Sequence, residues 1–164
     1  MSKMKDIAIR ADEYFLGIVP EVETENGFKV EPYKFLSNMY PCKVRMYGQW
    51  YDSVEAAYQA SKCADPRDRE KFIGINGYEA KRLGRTVKMR DDFDSVKLTF
   101  MKELLKRKFS DINPTLMNKL IATQGVKLVE HNTWKDTYWG VCNGVGKNYL
   151  GRLLMEIRKD LLPQ

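Results

Sequence analysis

Between Phe93 and Phe109 the chain reads FDSVKLTFMKELLKRKF, and this stretch sets the strongest limit on the fold. Val96, Phe100, Met101, Leu104 and Lys108 recur at helical spacing, and Asp91, Asp92 and Asp94 crowd the start, where the helix dipole favours acids. Phe93, Val96 and Phe100 read as core residues of this helix. A helix of this length must cover its apolar side, and the remaining sequence offers mostly more helices. DSVEAAYQASKCA reads as one. DPRDREKFIG is a short one, with Asp65 as N-cap and Pro66 in the first position, and NGYEAKRLGR is a third. Asn113-Pro114 opens another that stops before Gly125. YLGRLLMEIRKDLL puts Leu150, Leu153, Leu154, Ile157 and Leu161 on one stripe. Strand signals are few: KVRMY, closed by a turn at Gly48-Gln49, and VKLVEH. Residues 17–30 are locally acidic and read as a loop or a short strand pair. The expected fold class is α+β: a single compact, predominantly helical domain with a small β-sheet, spanning residues 1–164.

Composition narrows the function. The chain has 164 residues, 43% hydrophobic and 30% charged, the balance of a globular domain with its own core. No apolar run approaches the roughly 18 residues that a membrane span needs. The opening MSKMKDIAIRADEYF lacks an apolar h-region, so no signal peptide is expected. Cys42, Cys63 and Cys142 are odd in number and far apart, which argues against a disulfide framework and for a reducing, cytoplasmic setting. The one histidine, His131, leaves no ligand cluster for zinc and little room for a Ser-His-Asp or Cys-His nucleophile. At a strand end it reads as a structural residue. Acid–base work then falls to carboxylates, with lysine or tyrosine in support.

The net charge is +6, and it is unevenly spread. KRLGRTVKMR holds Lys81, Arg82, Arg85, Lys88 and Arg90 without an acid. If helical throughout, Lys81, Arg85 and Lys88 share a face. Such a face is either solvated or a wall for phosphate.

Two carboxylates stand out. Asp52-Ser53-Val54-Glu55 has capping-box spacing, with Asp52 at the N-cap and Glu55 reaching back to its N–H. Ala56, Ala57 and Ala60 then let a neighbour or a ligand approach the helix closely. Asp136 precedes a loop, TYWGVCNGVGKN, whose three glycines permit close backbone approach. That loop runs into the last helix, with Asn148 as a plausible N-cap and an N-terminus suited to anions. On local rules alone Glu55 is a cap and Asp136 an Asx-turn residue. Taken together, two carboxylates, an anion-holding loop and a basic segment are what hydrolysis of a glycosidic bond uses.

From about Phe28 to Leu161 the chain resembles the NADAR family, also called YbiA-like. The resemblance rests on FLSNMYP (35–41), SVEAAYQASK (53–62), Gly84-Arg85, FDSVK (93–97) with Met101, Lys108-Phe109, Leu128-Val129-Glu130, DTYWG (136–140) and GVGKNYLGRLLM (144–155). Residues 1–27 stand outside it as an N-terminal extension. The resemblance implies hydrolysis of an N-glycosidic bond to a phosphorylated ribose, without cofactor or metal. Family substrates are ADP-ribose on a nucleobase and phosphoribosylamino intermediates of riboflavin synthesis. The first is the expected substrate and the second its alternative. Glu55 and Asp136 fall on the family's acidic positions as the catalytic pair. Lys62, Arg85, Lys147 and backbone N–H groups near Asn148 and Tyr149 are expected to hold phosphate. Ser37 and Asn38 would bond ribose or base, and Trp139 or Phe93 would stack. Gln59, Gly140, Gly146 and Asn148 complete the expected substrate contacts. Phe93 stands where relatives often carry tryptophan, Val141 and Cys142 where some carry an acid and a glycine, and Ala56 where some carry histidine.

Two other classes use the same residues. A non-catalytic module would bind ADP-ribose or a related nucleotide without turnover. A sequence-independent nucleic-acid binder would follow from charge alone and show steep salt dependence, but no nucleic-acid fold signature is present. Contact with nucleic acid enters the enzyme reading where the modified base lies in a strand and must be flipped out. No membrane partner is expected.

Overall fold

The computed structural model describes residues 33–164 and the backbone of residues 13–15. The loop or strand pair expected at residues 17–30 lies outside the described residues. The chain divides into two compact units, residues 38–117 and residues 1–37 with 118–164.

Strand β1 (Glu13–Phe15) belongs to the second unit; the first contains the antiparallel pair β2 (Val44–Met46) and β3 (Gln49–Tyr51), with Arg45 opposite Trp50. The turn residues are Tyr47 and Gly48, both at positive φ (53° and 73°), and Gln49 already belongs to the strand. Two left-handed residues match the twist of a tight hairpin, which places the turn one residue earlier than Gly48-Gln49. Helix α1 (Val54–Ser61) follows and is buried along its whole length. Alanines at 56, 57 and 60 allow that, because they let neighbours approach the helix on several sides. Asp65 caps the next turn through Arg67 N–H at 2.9 Å, and Pro66–Phe72 is a 3-10 helix. Helices α2 (Gly77–Leu83) and α3 (Phe93–Lys108) both pack on α1. The core face of α3 is Phe93, Met101, Leu104, Leu105 and Lys108, while Val96 and Phe100 are half-buried. Asn113 fastens the end of α3 to the hairpin: its amide donates to the Lys43 and Lys108 carbonyls (2.8 and 3.0 Å) and accepts from Lys43 N–H (3.1 Å). Helix α4 (Pro114–Ala122) starts after it, and the unit boundary falls within α4.

In the second unit, β1 (Glu13–Phe15) pairs in parallel with β4 (Lys127–Val129), Tyr14 opposite Leu128. Helix α5 (Tyr149–Leu161) packs on β4 and buries Leu150, Leu153, Leu154 and Ile157 of the stripe read from the sequence, while Leu161 at its end is half-buried. Arg158 on its outer turn donates to the Thr123 and Val126 carbonyls, both at 2.7 Å, tying α5 to the turn after α4. The fold is thus α+β and mostly helical among the described residues, with strands confined to two short pairs. None of the described helices is long and apolar enough to cross a membrane.

Lys108 is fully buried between the Tyr40 and Phe109 rings, with its ammonium 5.8 and 5.0 Å from their centres. Burial pushes it from 10.5 down to about 8, opposed by the nearby Cys42 thiol. The unfolded chain keeps this proton to about 10.5 while the native state releases it near 8, so unfolding takes up a proton between those values. Stability from this group therefore rises with pH across that window, and the cost of the buried charge is complete below it. The expected outcome is that Lys108→Met removes this rise. Its urea-unfolding stability relative to wild type should decline from pH 8 to 10.5, by up to about 1.4 kcal/mol per pH unit.

Candidate active site

The start of α1 decides what Glu55 does. Ser53, in extended conformation, is the N-cap, and its Oγ accepts the Ala56 N–H at 3.0 Å. The capping box expected with Asp52 at its head therefore does not form. Asp52 faces outward instead and takes the Lys43 ammonium at 2.6 Å. Glu55 sits at the second helical position, and its N–H donates to the Asn38 carbonyl at 2.9 Å. Its carboxylate is bonded one turn onward, accepting from Gln59 Nε2 at 2.8 Å, and the residue is only 8% exposed. An i,i+4 pair on a helix meets in this way. Asn38 lies beside it with its Oδ1 buried and making no hydrogen bond among the described residues.

The surroundings perturb both signs of charge. Burial pushes the Glu55 carboxyl up, against the Gln59 hydrogen bond and the positive charges of Lys81 and Lys62. Burial also pushes the Lys62 ammonium down, with Glu55 opposing that shift and Lys81 and Arg85 adding to it. Lys62 lies 5.8 Å from the Tyr58 ring centre and 5.9 Å from that of Phe93, and the two rings pack at 5.4 Å. Phe93 is buried, so its ring lines the core beside Tyr58 and is not an open stacking face. The basic helical face expected from Lys81, Arg85 and Lys88 is not built, since α2 ends at Leu83 with Gly84 as its C-cap. The turn past Gly84 nevertheless leaves Arg85 and Lys81 within electrostatic reach of Lys62.

The structure thus brings Asn38, Glu55, Gln59, Lys62, Arg85 and Phe93 together in one unit, and adds Tyr58 and Lys81. Helical spacing carried a signal for Tyr58, which lies one turn before Lys62. Lys81 was visible only as one charge in a basic run.

The remaining expected residues lie in the other unit. Asp136 is half-buried, and its Oδ1 accepts from Tyr138 N–H (3.1 Å) and Trp139 N–H (2.9 Å). Asn132 clamps the same residue by its backbone, donating to its carbonyl (2.8 Å) and accepting its N–H (3.0 Å). The N–H groups leading into α5 are spent inside the loop: Lys147 on Thr137 O (2.8 Å), Asn148 on Gly140 O (3.3 Å), Tyr149 on Tyr138 O (3.2 Å) and Leu150 on Trp139 O (3.0 Å). The anion site expected from N–H groups near Asn148 and Tyr149 is therefore closed, because loop carbonyls have taken the donors that the helix leaves open. Asn148 holds the N-cap position in left-handed conformation but makes no side-chain cap. Its amide bridges to β4, accepting from Glu130 N–H (2.9 Å) and donating to Leu128 O (3.0 Å). Gly140 and Gly146 serve close packing of the loop on itself, since a Cβ on Gly146 would run into the Gly140 carbonyl and one on Gly140 into that of Glu130. Lys147 and Arg152 lie 5.8 and 5.6 Å from the centre of the Tyr149 ring; Arg152 falls in the 144–155 block but carries no expected role there. Trp139 meets Tyr138 edge-on at 4.8 Å. Ser37 is buried at the end of the 3-10 turn Lys34–Leu36, its N–H on Lys34 O at 3.1 Å. Glu130, buried at the foot of the loop, is a further carboxylate that local sequence rules did not single out.

Residues 24–162 match the NADAR domain. The chain belongs to the NADAR family. It is 37% identical over 135 residues to N-glycosidase YbiA of Shigella boydii, a match covering 80% of this chain and 83% of that protein. It is 32% identical over 141 residues to N-glycosidase Npun_R5314 of Nostoc punctiforme, covering 80% and 87%. Riboflavin biosynthesis protein VVA0006 of Vibrio vulnificus is 36% identical over 135 residues, but there the match spans only 36% of the relative's length. An NMR structure of the E. coli protein YbiA superposes with a TM-score of 0.71 at 30% identity, covering 93% of this chain and 92% of that one. The Shigella and Nostoc relatives are named N-glycosidases, and this chain is a glycosidase.

Within the NADAR chain, the chemistry marks the Glu55 cluster more clearly than concavity does. A groove of about 380 Å3 lies on the β2–β3 hairpin, lined by Arg45, Met46, Tyr47, Gly48, Arg107 and Ile112, and contains none of the candidate residues. At Asp136 the loop bonds alone predict a stability cost. Asp136→Ala should lose about 1–2 kcal/mol in urea unfolding, because two N–H groups lose their acceptor. Asp136→Asn keeps an oxygen in place and should lose much less.

Proposed function

We propose that this NADAR enzyme hydrolyses the N-glycosidic bond between a phosphorylated ribose and a nitrogen base, with ADP-ribose on a modified nucleobase as substrate. The observation that carries the reading is the buried Glu55 carboxylate, held by Gln59 and set among Lys62, Lys81 and Arg85. In the reaction the C1–N bond breaks with its electron pair going to nitrogen. Water supplies oxygen to C1, and a proton ends on the departing base. Positive charge grows on the ribose meanwhile, and a carboxylate at close range stabilises it in a water-poor setting. A carboxyl with raised proton affinity is also suited to hand over or collect the proton. Lys62, Lys81 and Arg85 supply three cations, which suits the two charged phosphates of a pyrophosphate bridge. Asp136 keeps its assignment as the second carboxylate, with Ser37, Asn38, Trp139 and Lys147 as substrate contacts.

A second reading has its own support. Relatives from Vibrio vulnificus and Zea mays are named as riboflavin biosynthesis proteins. The same cluster would then act on phosphoribosylamino intermediates of that synthesis. Incubation with both substrate types, with released ribose 5-phosphate or ADP-ribose read by mass, separates the two.

Glu55→Gln tests the site. Gln keeps the oxygen that Gln59 bonds, so the fold should persist while hydrolysis falls by at least about 100-fold. Hydrolysis at the wild-type rate would end the catalytic assignment. Stability should move the other way. Because burial raises the folded-state affinity of Glu55 for its proton, the wild type loses stability as pH rises through that raised value. Glu55→Gln escapes this loss, so its melting midpoint should match wild type in acid and equal or exceed it at pH 7.

A further inference from the structure

Helix α2 ends on Gly84, and its backbone gives no reason for a glycine. Gly84 has φ −59° and ψ −20°, ordinary right-handed helix that alanine adopts more readily. The reason lies in the space beside it. A Cβ at residue 84 would collide with Gln59 Oε1, lie 2.7 Å from Gln59 Cδ and come within 3.2 Å of the Ala80 carbonyl. Gln59 is 5% exposed, and Oε1 makes no hydrogen bond among the described residues. The one bond that orients its amide runs from Nε2 to Glu55. The amide is thus held by Glu55 on one side and admitted by the bare Cα of Gly84 on the other. What yields to an added methyl is the end of a flexible side chain, not backbone. The same helix begins at Gly77, whose own Cβ would lie 3.4 Å from Glu55 Cβ and still closer to Met39. Both ends of α2 therefore press on the edge of α1 that carries Glu55 and Gln59.

We propose that Gly84 is a positioning residue for Glu55: by lacking a side chain it lets the Gln59 amide reach the Glu55 carboxylate and hold it in place. Its catalytic consequence rests on Glu55 being the catalytic carboxylate, whereas the contact itself does not. Gln59 is the intermediary, and Gly84 touches no substrate. Displacing the amide removes a donor that favours the ionised carboxylate, so Glu55 must bind its proton more tightly without it.

The experiment uses the full chain as wild type, Gly84→Ala, Gln59→Ala and the double variant. Glu55 is titrated by carboxyl carbon NMR, assigned by comparison with Glu55→Gln, and kcat and KM are measured on an ADP-ribosylated nucleoside. In Gly84→Ala the Glu55 titration should move upward and kcat should fall by about 10- to 100-fold with KM within about threefold, as for a reacting group held slightly out of place. Gln59→Ala should do the same. The double variant should be no worse than Gln59→Ala, since the methyl then has no amide to displace. An unmoved Glu55 titration in Gly84→Ala, or a double variant that falls well below Gln59→Ala, overturns the proposal. If Gly84→Ala does not fold but the double variant does, the collision with Gln59 is upheld. If neither folds, the methyl meets something else and the proposal is lost. Should Glu55→Gln retain full activity, the catalytic reading fails, and the NMR titration still decides the contact.

Discussion

The burial of one short helix, α1, constrains everything around the candidate site. All of its residues from Val54 to Ser61 are buried, and they include a carboxylic acid and an amide. A buried carboxylate is costly unless donors and positive charges compensate it. Here Gln59 supplies the donor and Lys62 and Lys81 supply charge. Lys62 in turn is half-buried and depends on Glu55 to offset its own loss of hydration. The acid and the base thus each offset part of the other's desolvation, while burial still leaves Glu55 holding its proton more tightly, and Lys62 less tightly, than in water. Sites of this kind are expected where chemistry, rather than stability, has shaped the local structure.

The second unit works by a different economy. Its glycine-rich loop satisfies itself. The carbonyls of residues 137–140 take the N–H groups that the start of α5 leaves open, Asp136 takes two more, and Asn148 pins the junction to β4. What the loop offers outward is side chains, such as Lys147 and Arg152 near the Tyr149 ring, rather than the N–H groups of residues 147–150.

Much of this is legible in the sequence. The helices are readable where they carry a period or end signals: Pro114 and Gly125 bracket α4, and the leucine stripe marks α5. The NADAR resemblance marks Glu55 as a candidate, and the structure sets Gln59, Lys62 and Lys81 about it, with Arg85 near Lys62. The illegible parts turn on a single residue of register or a single competitor for a hydrogen bond. Capping-box spacing fitted Asp52 and Glu55, but Ser53 could also cap, and Lys43 drew Asp52 away. The basic run reads as one helical face, yet the helix ends at Leu83 and the chain turns away. An N-terminal anion site is a fair reading of Asn148, and no local rule shows that carbonyls eight to eleven residues earlier take those donors.

By itself the sequence determined the class of fold, the family, and the scarcity of histidine and clustered cysteine that leaves acid–base work to carboxylates. These follow from period, composition and motif, all of which are properties of the chain read in order. Only the tertiary structure decided where the Glu55 carboxylate goes. That depends on which donor reaches it in a buried space, and the donor reaches it through a gap left by a glycine 29 residues away in α2's terminal turn. Proton affinity, hydrogen-bond choice and close packing are set by the neighbours that folding assembles, and a sequence lists those neighbours without saying which of them will meet.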